Sequence, residues 1–380
     1  MTDTSPNFDD IRPYNDSEVP AAVQRIIADP EFIRAIIRYR FGSSAPWLVS
    51  IASPLLSWYL RRNWSGLKTV DAVQQYVATY LQRSLANTTT SLTCSGLSSL
   101  DPNKPYLFVS NHRDIAMDPA LVNWCLSQAG FPISRIAIGD NLLKKTCVTE
   151  LMKLNKCFIV RRSAKGPREM LKALGQLSAY IRHSLMTGHP IWIAQKEGRA
   201  KDGRDQTDPA ILKMFYIAGK QAGIDFSTYM ASLQIVPVCL SYEFDPCDAA
   251  KAQELYQLDT AGNYQKTEFE DIESIVRGIT GYKGRVHVHF GEVVQEATDL
   301  VDPETLAAAI DRQIYQGYRF YPANYAAAQQ ALPPELAAES CDEYQRRLTA
   351  MPVEIHPYIA QMYASPLLNY GSLSENKHGA

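Results

Sequence analysis

Tyr106-Leu107-Phe108-Val109-Ser110-Asn111-His112-Arg113-Asp114-Ile115-Ala116-Met117-Asp118-Pro119 decides how this chain is read. Residues 106–110 are a short apolar run with strand character, and a histidine follows at its mouth with two carboxylates close behind. That is a way to build a general base: imidazole titrates near neutrality, and a carboxylate on the far ring nitrogen fixes the tautomer and stabilises the imidazolium. His112 is the candidate base, with Asp118 or Asp114 as its partner.

Outward from this segment the same texture recurs. Apolar runs at 133–138, 157–161, 191–195, 235–242 and 285–290 alternate with helical stretches, the pattern of an α/β domain. One helix is expected from Pro167 to Met186, where Met170, Leu171, Leu174, Leu177, Ile181 and Leu185 recur at helical spacing before Gly188 and Pro190. The fold class is therefore α/β, a central mostly parallel or mixed sheet flanked by helices over residues 92–300. Residues 1–91 are expected to form an acidic, flexible leader (1–18) and a helical segment, with 86–93 as a polar boundary. Residues 301–380 are expected to form a helical extension with a frayed end.

Two features of the first segment bear on membranes. Arg34, Arg38 and Arg40 lie beside an apolar helical face, and PWLVSIASPLLSWYL at 46–60 is followed by Arg61, Arg62 and Trp64. Basic residues and Trp47, Trp58 and Trp64 around a short apolar run suit a bilayer headgroup region. No run reaches the length of about 20 apolar residues that a spanning helix needs. A helical hairpin packed on the core accounts for the stretch equally simply.

The formal net charge of -2 gives no basic field for nucleic acid. Cys94, Cys125, Cys147, Cys157, Cys239, Cys247 and Cys341 include no C-x-x-C pair, which fits reduced thiols. Without a charged-then-apolar secretion signal, the expected location is the cytoplasmic side of the membrane, as a peripheral or monotopic protein.

Three more blocks stand at strand ends. Cys157-Phe158-Ile159-Val160-Arg161-Arg162-Ser163 ends in two guanidiniums that can present a fork to a phosphate. Glu197-Gly198-Arg199-Ala200-Lys201 combines a glycine, which allows close backbone approach, with positive charge. Ile235-Val236-Pro237-Val238 carries a proline inside a strand, which places that strand at an edge or at a bulge and makes it a candidate wall of an acyl pocket. His287 and His289 share one strand face, but two histidines without a third ligand do not make a metal site, so no metal is expected.

The four blocks, in this order, resemble the glycerolipid acyltransferase family over roughly residues 92–292. The resemblance implies that His112 and a following Asp are the catalytic pair. It also implies that Arg161, Glu197, Gly198 and Arg199 bind the acceptor's phosphate, with Asn111, Arg113 and Lys201 beside them, and that Pro237 lines the pocket. The implied reaction moves a fatty acyl group from acyl-CoA or acyl-carrier protein to a hydroxyl of 1-acylglycerol-3-phosphate at a membrane surface, with no cofactor.

Two departures stand out. The family's His-x4-Asp is His112-x5-Asp118 here, with Met117 at the expected position, and the family's Pro-Glu-Gly-Thr-Arg is Lys196-Glu197-Gly198-Arg199. The second makes glycerol-3-phosphate or another lipid hydroxyl an alternative acceptor. A thioesterase using the same base on water, and an inactive membrane-surface scaffold, are the remaining alternatives.

Overall fold

The computed structural model describes residues 7–41, 46–267 and 270–375, with the side chains of 38–41, 46–48 and 374–375 excepted. The chain divides into two compact units, residues 1–81 with 135–180 and residues 82–134 with 181–380. Two of the three boundaries fall inside helices, Val70–Thr88 and Pro167–Met186, and the third lies at Arg135, where a strand begins.

Among the described residues seven strands form: β1 (Thr89–Ser95), β2 (Leu107–Ser110), β3 (Arg135–Gly139), β4 (Cys157–Val160), β5 (Ile191–Ala194), β6 (Ile235–Tyr242) and β7 (Gly284–Phe290). The first unit holds β3 and β4 as a parallel pair. Its core is helical: Val23, Ile26, Ile33, Ile37, Leu60 and Val73 pack together from the helices Val19–Ala28, Pro30–Phe41, Pro46–Trp64 and Val70–Thr88. Each such side chain contributes about 1.5–3 kcal/mol when fully buried. The described part of the expected flexible leader is folded onto this unit. Phe8 and Ile11 are buried, and the Ile11 carbonyl accepts a hydrogen bond from Ile159 N at 2.9 Å. Arg12 neutralises Glu18 and Asp9, so the acidic composition does not keep the segment in solvent.

The second unit holds a five-stranded mixed sheet in the order β1-β7-β6-β2-β5. β2 runs parallel to β5 and β6, and β7 runs antiparallel to β6 and parallel to β1. β1 replaces the expected polar boundary. Its sequence TTSLTCS has no apolar alternation because it is an edge strand with mostly exposed side chains, and Thr89, Thr90 and Thr93 supply β-branched shape instead.

β6 is also corrected: it lies between β2 and β7, not at an edge. Leu107 N donates to Gln234 O, so even-numbered residues of β6 bond β2 and odd-numbered ones face the other way. Pro237 therefore turns its missing N–H toward the chain just past the end of β7. Its carbonyl is still used there, accepting from Gly291 N at 2.8 Å.

Among the described residues no helix is long and apolar enough to cross a membrane. The C-terminal helix runs from His356 to Glu375, and the rest of the expected frayed end lies outside the described residues.

Candidate active site

β2 ends at Ser110, level with Val238 of β6, while β6 continues to Tyr242. Where the β2 backbone turns away, the buried side chain of Asn111 continues the pairing. Its Oδ1 accepts from Leu240 N at 2.8 Å and its Nδ2 donates to Leu240 O at 3.0 Å and to Asp205 at 3.0 Å. The amide expected to touch substrate is thus fully engaged in joining two strands.

That brace delivers His112 to the C-terminal end of β2. Its Nδ1 lies 2.8 Å from Oδ2 of Asp118, which sits wholly buried in the first turn of the helix Met117–Gln128. The same oxygen accepts from the backbone N–H of Arg113 at 2.6 Å and of Asp114 at 2.9 Å, and Oδ1 accepts from the Tyr242 hydroxyl at 2.6 Å. A carboxylate with these donors is an acceptor only, so Nδ1 of His112 carries a proton, and in the neutral ring Nε2 is the nitrogen with the lone pair. The ring is also held edge-on to Trp192 of β5, with centroids 5.7 Å apart.

Asp114 has a different task. Its Oδ1 accepts from the N–H groups of Ala116 and Met117, both at 2.9 Å, which satisfies donors at the start of that helix. Its Oδ2 is buried without a hydrogen-bond partner and fills the space a side chain on Gly278 would need. Burial, with the Asp118 charge beside it, raises the Asp114 carboxyl above the ordinary range. Of the two carboxylates, the structure sets Asp118 on the ring and Asp114 on the helix.

The loop after β5 is stitched to the loop after β2 by Gln195 N donating to Ser110 O and Ala200 N to His112 O, both at 2.8 Å. Gly198, at φ +78, turns the chain between them, with Glu197 exposed. Arg199 reaches Ser274 at 3.4 Å through Nη2, while its buried Nη1 has no partner. The other cations expected at the phosphate are paired within the protein: Arg113 with Asp205 at 2.6 Å and Lys201 with Glu254. Arg161 stands in the other unit, at the end of β4, paired with Asp10. Pro237 is buried within β6.

Five residues of this network were given no role from sequence. Asp205 gathers Asn111, Arg113 and the Tyr318 hydroxyl on its Oδ2, and Lys251 donates to the Arg113 carbonyl at 2.7 Å while ion-paired with Asp245. Burial pushes the Asp245 carboxyl up, but Lys251 outweighs it and holds the carboxyl below its ordinary value. Tyr242 is the fifth, on Asp118. Asp205 directly follows the Arg- and Gly-rich run, which is a signal of sorts; Lys251, inside a helix, and Tyr318, just past the end of another, carry none, since both lie far along the chain.

His287 and His289 are bonded to β1. Thr93 lies 2.7 Å from Nδ1 of His287, and Ser95 lies 2.9 Å from its Nε2 and 2.8 Å from Nδ1 of His289.

No curated protein matches the chain. A solved structure, the 1-acyl-sn-glycerophosphate (LPA) acyltransferase of Thermotoga maritima, is similar at 13% identity, covering 78% of this chain and 95% of that one with a TM-score of 0.39. The model of the Acyltransferase family matches residues 91–241. This span contains most of β1, β2 with the His112–Asp118 pair, β5 with its loop, and nearly all of β6. Residues 91–241 are thus an Acyltransferase-family domain, and the enzyme is an acyltransferase.

Proposed function

We propose that the protein transfers a fatty acyl group from acyl-CoA or acyl-carrier protein to the free hydroxyl of 1-acylglycerol-3-phosphate, as a step of phospholipid synthesis at the cytoplasmic face of a membrane. The observation that carries this reading is the His112–Asp118 pair, with the Nε2 lone pair left to take a proton. The acceptor hydroxyl is deprotonated by Nε2 as its oxygen attacks the thioester carbonyl. Asp118 stabilises the imidazolium, the tetrahedral intermediate collapses, the proton passes to the sulfur, and the thiol of the carrier leaves. No step requires a cofactor.

Arg199 supports the phosphate half of the acceptor. Its buried, unpartnered Nη1 lies in the loop tied to His112, and a phosphate oxygen is the natural acceptor for such a nitrogen. Glu197 and Gly198 precede it, and the turn at Gly198 leaves open space for a lipid headgroup.

For the membrane, support comes from the helix Pro46–Trp64, where Ile51, Leu55, Trp58 and Tyr59 are each more than half exposed beside Arg61 and Arg62. Trp64 does not belong to this belt: it packs against Phe32 and Tyr76. The side chain of Trp47 lies outside the described residues.

The test is release of free thiol from acyl-CoA or acyl-carrier protein by the purified protein, with 1-acylglycerol-3-phosphate, glycerol-3-phosphate or no acceptor. Lipid products are identified by mass. Release that requires 1-acylglycerol-3-phosphate and yields phosphatidic acid is expected. Release without acceptor would make the protein a thioesterase, and none with either carrier would sink the proposal.

A further inference from the structure

The carboxylate of Asp118 is gripped from two sides. Oδ2 takes His112 Nδ1 and the N–H groups of Arg113 and Asp114, all from the loop after β2, while Oδ1 takes only the hydroxyl of Tyr242, from the far end of β6. The loop between His112 and Asp118 is one residue longer than the family spacing, and its two N–H groups wrap around a single oxygen. They leave the other oxygen to a group from another strand. Tyr242 reaches it because β6 continues past the level at which β2 ends. It lies just outside the span of the family match, which ends at residue 241.

We propose that Tyr242 is a positioning residue for acyl transfer, its hydroxyl holding Asp118 in the orientation that keeps Oδ2 on His112. This rests on His112 acting as the base. A carboxylate turns readily about its last torsion, which is broad and roughly two-fold. A donor fixed on Oδ1 removes that freedom, so the imidazole is already oriented when substrate arrives.

Tyr242 stays a donor under working conditions. Burial, then the charges of Asp118 and Asp114, keep its phenol protonated well above the ordinary range, with Asp245 adding to the effect. The cations nearby are committed elsewhere: Arg113 to Asp205 and Lys251 to Asp245. Neither competes with the tyrosine for Oδ1 of Asp118.

The test is a double-mutant cycle on the full-length protein with Tyr242→Phe, Asp118→Ala and both together, reading kcat and KM separately. Proton NMR of the His112 Nδ1–H, identified by its loss in His112→Gln, is recorded on the same proteins. Tyr242→Phe is expected to lower kcat about tenfold with KM unchanged, the scale of one hydrogen bond to a charged group, and to move the resonance. In the Asp118→Ala background the same change is expected to alter kcat less than about twofold, because the group it acts through is gone.

An equal loss in both backgrounds would make Tyr242 merely structural, and an unmoved resonance with unchanged kcat would overturn the proposal. If Tyr242→Phe does not fold, ring-fluorinated tyrosine at 242 keeps the volume and strengthens the donor. It is expected to move the resonance the opposite way, and no movement overturns the proposal. The resonance is read without acyl donor, so a wild-type protein that transfers nothing sinks the reading of His112, whereas an unmoved resonance sinks Tyr242 alone.

Discussion

In the loop that leaves β2, both oxygens of Asp118 and the whole amide of Asn111 are bonded within the protein; in the loop that leaves β5, Arg199 keeps a buried guanidinium nitrogen and Asp205 a buried oxygen with no partner. The two loops run from neighbouring parallel strands and are tied by two backbone hydrogen bonds, so strand position does not explain the contrast. Chemistry does. A base must be oriented before substrate arrives, so the carboxylate on His112 is saturated, although Asp114 in the same loop keeps one buried oxygen unbonded; a binding group needs capacity that only a ligand fills.

The largest effect expected from this contrast is on turnover. His112→Ala removes the group the first loop is built around, and acyl transfer should fall by about 10²–10⁴ with the melting temperature nearly unchanged. Wild-type rates from the purified variant would erase the distinction between the loops. Next comes Asp205→Asn, which leaves the Arg113 charge buried without its partner. A loss of about 3–5 kcal/mol in denaturant unfolding is expected, and a loss below 1 kcal/mol would mean the second loop does not anchor the first.

Arg199→Met should raise KM about 10- to 100-fold for an acceptor carrying phosphate and leave a monoacylglycerol unaffected, the range for a hydrogen bond to a charged group. Equal effects on both acceptors would remove Arg199 from phosphate binding. Gly278→Ala presses a methyl group against Oδ2 of Asp114, and overpacking of this kind costs about 1–3 kcal/mol. Calorimetry should show the loss, with kcat falling as the helix carrying Asp118 shifts.

The smallest effect separates two kinds of histidine. Burial, then Arg319 and His289, push His287 down to about 4. The unfolded chain therefore binds the proton first, near the ordinary value of about 6.5, so the stabilisation is complete above 6.5 and is lost as pH falls toward 4. His287→Gln should flatten that part of the melting profile and leave acyl transfer alone; an unaltered pH slope would refute the assignment.

What could be read along the chain was whatever depends on neighbours in sequence. Six of the strands were legible because their apolar runs are local, and His112 was legible because it follows one of them. β1 was not, since an edge strand with exposed side chains carries no buried face to mark it. The proline of β6 misled, because its missing N–H counts only against whatever lies opposite, and β7 has ended there. The expectation for the leader failed for a similar reason: acidic composition says nothing about the arginine that neutralises it.

The sequence by itself determined an α/β acyltransferase domain and two carboxylates within reach of one histidine. Only the tertiary structure decided between them. Asp118 and Asp114 differ by four positions in a short loop, and their roles depend on groups brought from far along the chain: the hydroxyl of Tyr242 to one, the bare backbone of Gly278 to the other. A hydrogen bond and an excluded volume act over a few ångströms of space, and separation along the sequence does not measure that distance.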